Sequence, residues 1–332
     1  MRNLVHACLI LILLGFVALP AEAKEISKDI HKSFDVSKGS RLRLKHGDGD
    51  VTIQPWDKDV IDVSVRYRAS YKSLGFGGDR DFDVLFRQKG DLIEVIGKET
   101  SSGFAGILYF NTKEYTYKIQ APSYVMLLLE GDDGDVEITG WEGDIECDLD
   151  DGDVSFGNIS SADTHLRLED GSINIEEHSG KLTIEGEDGD VTIIESTLSP
   201  CRIHLEDGDI IVKRCEGDFE IGVEDGDMEL IGMKLGKLDI ESEDGEVDVE
   251  LAEAKLIDLD IRTEDGDIKV YLPHGISAAF TVDVDDGSIE IELPSAKVLE
   301  KKRKWISGEI RDAKGHIRIR TSDGDVILKE TK

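Results

Sequence analysis

Apolar and polar residues alternate with a period of two through most of this chain, and one dipeptide, Asp-Gly, punctuates the alternation. Leu182 and Ile184 precede Asp188-Gly189, Val191 and Ile193 follow it, and mostly polar residues lie between. The arrangement recurs around eleven glycines: Gly49, Gly134, Gly152, Gly171, Gly189, Gly208, Gly226, Gly245, Gly266, Gly287 and Gly324. Positions two and four after the glycine are apolar, as in Val136 and Ile138 or Ile210 and Val212, and so is position five before it, as in Leu129, Cys147 and Leu166. Such alternation predicts a half-buried strand on each side of the glycine. Asp-Gly supplies the turn, because Gly takes positive φ without a Cβ clash and Asp can bond its own backbone. Gly143, Gly180, Gly217 and Gly236 recur nine places before a central glycine and predict a second turn. Pro200, Pro273 and Pro294 fall at the same joints, where a missing ladder donor does no harm.

The central glycines from Gly134 to Gly245 are 18 or 19 residues apart, and the next two intervals are 21. A fixed period with like residues at like places predicts a β-solenoid: a single-stranded, right-handed β-helix of 18–21 residues per coil with a β-rich N-terminal cap. The alternative is an antiparallel hairpin meander, since Asp-Gly between alternating strands is also a hairpin signal. In a hairpin, the position six after the glycine would face an apolar partner. It holds Pro55, Gly140, Asn158, Glu177, Glu195 and Arg214, which disfavours that pairing.

In chain order, residues 1–23 read as a secretory signal, with an apolar run from Leu9 to Leu19 and Ala21-Glu22-Ala23 as a cleavage motif. Residues 24–125 hold a first coil around Gly49 and then a capping β-layer, with the glycine-rich Leu74 to Arg80 and Ser101 to Ile107 as loops. Residues 126–296 are the regular array. Residues 297–332 form a basic C-terminal segment that ends in a last coil at Gly324, with Ser307-Gly308-Glu309-Ile310 as a degraded turn. Trp56 and Trp141 keep the same spacing from their glycines and read as corner packing residues.

Charge changes this picture most. The net charge of −33 is concentrated in residues 131–296, which carry −39, while residues 24–130 carry +1 and residues 297–332 carry +5. A chain this acidic repels nucleic acid and anionic lipid, so the expected partners are an envelope protein or a polysaccharide. The stacked acidic turns, such as Glu187, Asp188 and Asp190, are the place where a cation could sit. Calcium, which takes 6–8 oxygens, is the ion they suit. The competing reading is a solvated turn whose Asp caps backbone amides, and no resident cofactor or metal residue is assigned. Cys147 and Cys201 occupy inward positions and Cys215 a corner. Free buried thiols are expected, with a Cys201–Cys215 disulfide as the alternative. His31, His46, His165, His178, His204, His274 and His316 are scattered and read as surface residues. Arg167, Arg202 and Arg262 lie outward, but the corners are too short to build a catalytic cleft, and no catalytic residue is singled out.

The run Phe34-Asp35-Val36, Leu42-Arg43-Leu44, Gly49-Asp50-Val51-Thr52-Ile53 and Trp56, followed by Tyr117-Lys118-Ile119-Gln120-Ala121-Pro122 and the Asp-Gly-Asp-Val repeats, resembles the bacterial putative-adhesin family of β-strand-repeat domains of unknown function. The resemblance covers nearly all of the chain after residue 23 and implies an exported β-solenoid. It carries over no catalytic residues. The combined expectation is an exported, non-enzymatic protein with an adhesin-like binding or scaffold role in the periplasm or at the cell surface. A polysaccharide-active β-helix enzyme and an envelope-stress sensor are the alternatives.

Overall fold

In the computed structural model, which describes residues 23–77, 80–101, 104–254 and 256–331, the two flanks of an Asp-Gly turn in the array do not pair with each other. Each pairs with its counterpart in the neighbouring coils. The position five before the turn forms one column: Val95, Leu44, Leu129, Cys147, Leu166, Ile184, Ile203, Ile221, Ile240, Ile261, Ile319 and Val282. Every step in it is a parallel register partner. The position two after the turn forms a second, from Tyr117 through Val51, Val136, Val154, Ile173, Val191, Ile210, Met228, Val247, Ile268 and Val326 to Ile289. All of these but Ile289 are buried. The two parallel ladders share one hydrophobic core that runs from Phe34 to Leu328. The protein is therefore all-β and solenoid-like.

The turns explain why the period is kept so strictly. The Gly171 amide donates to the Asp188 carbonyl at 3.1 Å and the Gly189 amide to the Asp207 carbonyl at 3.0 Å, so each turn is bonded to the next. All eleven central glycines have positive φ. At Gly189 a Cβ would stand 2.0 Å from the Gly171 carbonyl oxygen, so the stack closes only where no side chain intervenes.

Spatial order departs from sequence order at both ends. The Gly324 coil, expected to be the last, lies between the Gly266 and Gly287 coils. Gly315–Asp323 pairs with Asp258–Asp265 on one side and Ala278–Asp286 on the other, and Val326–Glu330 sits between Ile268–Leu272 and Ile289–Glu292. Ser307 to Ile310 are not a degraded turn. They belong to the strand Trp305–Ile310, which runs antiparallel to Ala278–Asp286 and is covered in turn by Ala296–Lys301. The physical reason is that coils present similar edges. An interposed coil satisfies both of its own, and antiparallel strands then cover the outermost coil along one ladder.

The other end is built the same way. Arg41–Asp48 lies between Leu92–Ser101 and Met126–Asp133, which places the Gly49 coil one layer in. Among the described residues, antiparallel pairing is confined to the two ends. The stretches expected as loops are strand where they are described: Val60–Gly77 runs antiparallel to Phe104–Ala121 as far as Gly77 opposite Phe104. Long-ribbon pairing overrides the weak strand preference of glycine there. Pro200 also lies inside a strand, Thr197–Asp207, and not outside it. A register shift between Leu198 and Cys201 absorbs its missing donor. The leader assigned to residues 1–23 lies outside the described residues up to position 22. Among the described residues no helix is long and apolar enough to cross a membrane.

Candidate functional site

Alternation that buries positions five and seven before each glycine turns positions four and six to solvent. Successive coils therefore lay these side chains side by side on the outer face of the first ladder. Arg167, Glu185, His204, Gly222, Glu241 and Arg262 follow one another at position four, and Arg202, Glu220 and Asp239 stand beside them at position six. Because Gly222 has no side chain, this face sinks into a depression of about 360 Å³ lined by Thr183, Glu185, Arg202, His204, Glu220 and Glu241, among others. Two further depressions share His204 with it and extend it toward Arg167 on one side and Arg262 on the other. The result is a shallow trough along the stack.

Ion pairs set its chemistry. Arg167 Nη2 donates to Glu185 Oε2 at 2.5 Å and Arg202 Nε to Glu220 Oε2 at 3.1 Å. Arg262 reaches Glu241 Oε1 and Asp260 Oδ2, both at 2.6 Å. The hydrogen bond to Glu185 raises Arg167 above the usual guanidinium value. The three outward arginines are thus brought onto one face, each tied to a carboxylate. His204 is exposed and His165 half-exposed, as expected.

The acidic edge borders this trough. At the position after the glycine, each Asp carboxylate accepts the amide of its counterpart in the next coil. Asp153 donates to Asp135 Oδ1 at 3.0 Å, Asp209 to Asp190 at 3.0 Å, Asp227 to Asp209 at 2.9 Å and Asp325 to Asp267 at 2.7 Å. The Ser172 and Glu246 amides donate to Asp153 and Asp227, but their own side chains accept no amide from the next coil, so the ladder breaks at residues that depart from the repeat. In the outermost coil the Ser288 amide donates to Asp325. One position before the glycine the carboxylates within the array stack on one another, while Asp48 and Asp286 at the ends are bound by Lys113 and Lys304. Desolvation, then the like charges of Asp188 and Asp225, raise the Asp207 carboxyl, and Asp244 is raised the same way beside Asp225 and Asp265. Glu169 is raised by Asp150 and then Glu187. Among the described residues no three His, Cys, Asp or Glu side chains converge as a metal-ligand set.

Two histidines overturn the surface assignment. His46 is only 1% exposed, its ring lies 5.5 Å from that of Tyr117, and neither ring nitrogen has a hydrogen-bond partner. Room for it comes from Gly131 in the next coil, where a Cβ would stand 2.3 Å from His46 Cε1. His178 is equally buried, with Nε2 3.0 Å from Thr164 Oγ1. Burial lowers both rings to about 4. The columns held the signal: His46 takes the inward position of Leu149 and Leu168, and His178 that of Ile159 and Met233. The left-handed backbone of the second corner was not legible in the sequence. Asn158, Glu177, Glu195 and Arg214, six places after their glycines, have φ between 53° and 55°.

The remaining candidates are structural. Trp141 is buried and donates to the Val125 carbonyl at 2.8 Å, and Trp56 donates to the Val60 carbonyl at 2.7 Å. Cys147, Cys201 and Cys215 are free and buried, and burial pushes the Cys147 thiol up to about 12.

A family model described as Toastrack DUF4097 matches residues 39–329. Similar solved structures include a putative cell adhesion protein from Clostridium sporogenes ATCC 15579, 12% identical with a TM-score of 0.23, covering 92% of this chain and 100% of that one. Another is a putative lipid binding protein from Parabacteroides distasonis ATCC 8503, 12% identical with a TM-score of 0.32, covering 92% of this chain and 97% of that one. Neither superposes closely. No curated protein matches the sequence.

Proposed function

This chain belongs to the Toastrack DUF4097 family, and on that premise we propose that it is an exported, non-enzymatic binding or scaffold protein of the cell envelope, adhesin-like in mode. One observation carries the reading: the trough on the outer face of the first ladder, continuous from Arg167 to Arg262. Parallel ladders bonded coil to coil hold that face flat and preorganised, which reduces the ordering cost of binding an extended partner. The partner is an envelope protein or a polysaccharide that lies along the stack. Export rests on the apolar run and the small-residue motif before Lys24. The coil is right-handed, as parallel crossovers are.

The trough works without a resident cofactor. Its guanidinium, imidazole and carboxylate groups offer donors and acceptors at coil spacing, about 4.8 Å. Glu185, Glu220 and Glu241 are each occupied by an arginine, which suits recognition better than proton transfer.

The test is capture from a native envelope fraction by the wild type and by Gly222→Phe. A Cβ on Gly222 meets only the side chain of His204, at 2.9 Å, so the ring fills the trough without opening the stack. The variant should keep its melting temperature and lose most of the captured material. Equal capture by the two proteins would remove the trough from the account.

A further inference from the structure

The end of the stack beyond the Gly287 coil is unlike the rest. There the chain forms an antiparallel hairpin, Ala296–Lys301 and Trp305–Ile310. Its outer strand pairs with no other strand among the described residues. In the array, every second strand residue is buried. Here Lys297, Val298, Leu299 and Glu300 are all exposed, Val298 at 48% and Leu299 at 55%. The adjoining edge strand, Ile289–Glu292, pairs on one side only and leaves Ile289 and Ile291 partly exposed. A small apolar rim therefore closes this end.

A basic collar surrounds the rim. Residues 297–304 hold Lys297, Lys301, Lys302, Arg303 and Lys304 against one acid, Glu300. Lys302 pairs with Glu300 at 2.8 Å and lies 5.1 Å from the Trp305 ring. Lys297, Lys301 and Arg303 make no ion pair among the described residues, whereas the arginines of the trough are all paired. Three of the acids near the collar are answered locally: Lys304 binds Asp286 at 3.0 Å, and Lys329 reaches Glu290 at 3.2 Å and Glu292 at 3.5 Å. Glu309 lies opposite Lys297 in the hairpin register.

From this end the geometry points to docking of the stack, end-on, on an anionic lipid surface. Two adjacent exposed aliphatic side chains are too little for a stable protein interface, which needs on the order of 1,000 Å². They are enough for shallow insertion among headgroups, where tryptophan also prefers to sit. Each unpaired Lys or Arg near anionic headgroups strengthens binding about fivefold. The overall charge of −33 does not oppose this. Charge interactions decay over about 8 Å at physiological salt, and coils are about 4.8 Å apart, so acids beyond the second coil are hidden from the surface. The acidic array then points away from the membrane and presents the trough outward. The repulsion expected from net charge treats the chain as one point, and the structure separates its charges along an axis.

The full chain should co-sediment with vesicles containing phosphatidylglycerol and much less with phosphatidylcholine alone, and raising the salt should abolish the difference. The apolar run Leu9 to Leu19 would bind either vesicle alike, so the reading rests on the difference between them. Lys301→Gln with Arg303→Gln should weaken the anionic component about 25-fold, two residues at fivefold each. Val298→Ser with Leu299→Ser should weaken it about tenfold. All four side chains are exposed, so an unchanged melting temperature shows that the fold is kept. Equal binding to both vesicles, or variants that bind like the wild type, would overturn the proposal. So would a concentration-dependent dimer in light scattering that the same variants abolish without any vesicle effect, since the occupant of this end would then be a second copy.

Discussion

Replacing Gly189 by Ala should destabilise the stack far more than the addition of one methyl group implies. Gly189 has φ of 142°, a conformation that residues with a Cβ rarely adopt, and holding Ala there costs about 1–3 kcal/mol. The new Cβ would also stand 2.0 Å from the carbonyl oxygen of Gly171 and 2.7 Å from its carbonyl carbon. Neither is the end of a flexible side chain, so two coils must move apart. The bonds that resist are the Gly171 amide to Asp188 at 3.1 Å and the Ile173 amide to Asp190 at 2.8 Å, each contributing about 1 kcal/mol net. Together these give about 3–5 kcal/mol, a large share of the roughly 5–15 kcal/mol that holds a domain folded. Gly157→Ala is the control. Gly157 has no positive φ, and its Cβ would meet only Thr139 Cγ2 at an ordinary 3.6 Å. That change should stay within about 1 kcal/mol and lean toward stabilisation through the unfolded chain. Equilibrium urea unfolding followed by far-ultraviolet circular dichroism compares the two. If Gly189→Ala costs no more than Gly157→Ala, direct backbone contact between turns is not what sets the coil spacing.

Ile193→Asp would bury an unpaired charge at a fully buried position and cost several kcal/mol, whereas Thr192→Asp, half-exposed and one residue away, should be nearly neutral in the same urea melts. For the buried histidines, the folded pKa of His46 and His178 is about 4, against an unfolded value of about 6.5. Between these values the unfolded chain binds more protons, so their contribution is complete above pH 6.5 and is lost as pH falls toward 4. His46→Leu should lessen that loss by up to about 1.4 kcal/mol per pH unit, and a pH profile of melting temperature identical to the wild type would refute it. Glu169, Asp207 and Asp244 act with the opposite sign, gaining stability as pH falls through their raised values, so the variant must be compared with the wild type at each pH. At the acidic edge, Asp190→Ala removes the acceptor of the Asp209 amide and should cost about 1 kcal/mol, Asn less. Calcium and ionic-strength-matched sodium should raise the melting temperature equally; a larger effect of calcium would mean that the ladder takes up the ion.

The local pattern settled which face of most array strands is buried. Period-two alternation around Asp188-Gly189 requires that Ile184 and Ile193 be buried and that Arg202 and Glu220 face water, and read by column it also contained the burial of His46 and His178. Amide capping by the turn aspartates was one of two readings the sequence left open, and the breaks in that ladder at Ser172 and Glu246 emerged only from the structure. What the pattern could not decide is which strand lies beside which. A repeat gives each coil nearly the same edges, so the Gly324 coil fits beside Gly266 and Gly287 as well as beyond them. Ordering among equivalent edges is a property of the whole stack: an inserted coil satisfies both edges, and the antiparallel Trp305–Ile310 and Ala296–Lys301 cover the first ladder of the coil left outside. The trough was hidden for a related reason. Arg167, His204, Gly222 and Arg262 are up to 95 residues apart in the chain, and only parallel stacking in register makes them neighbours on one face.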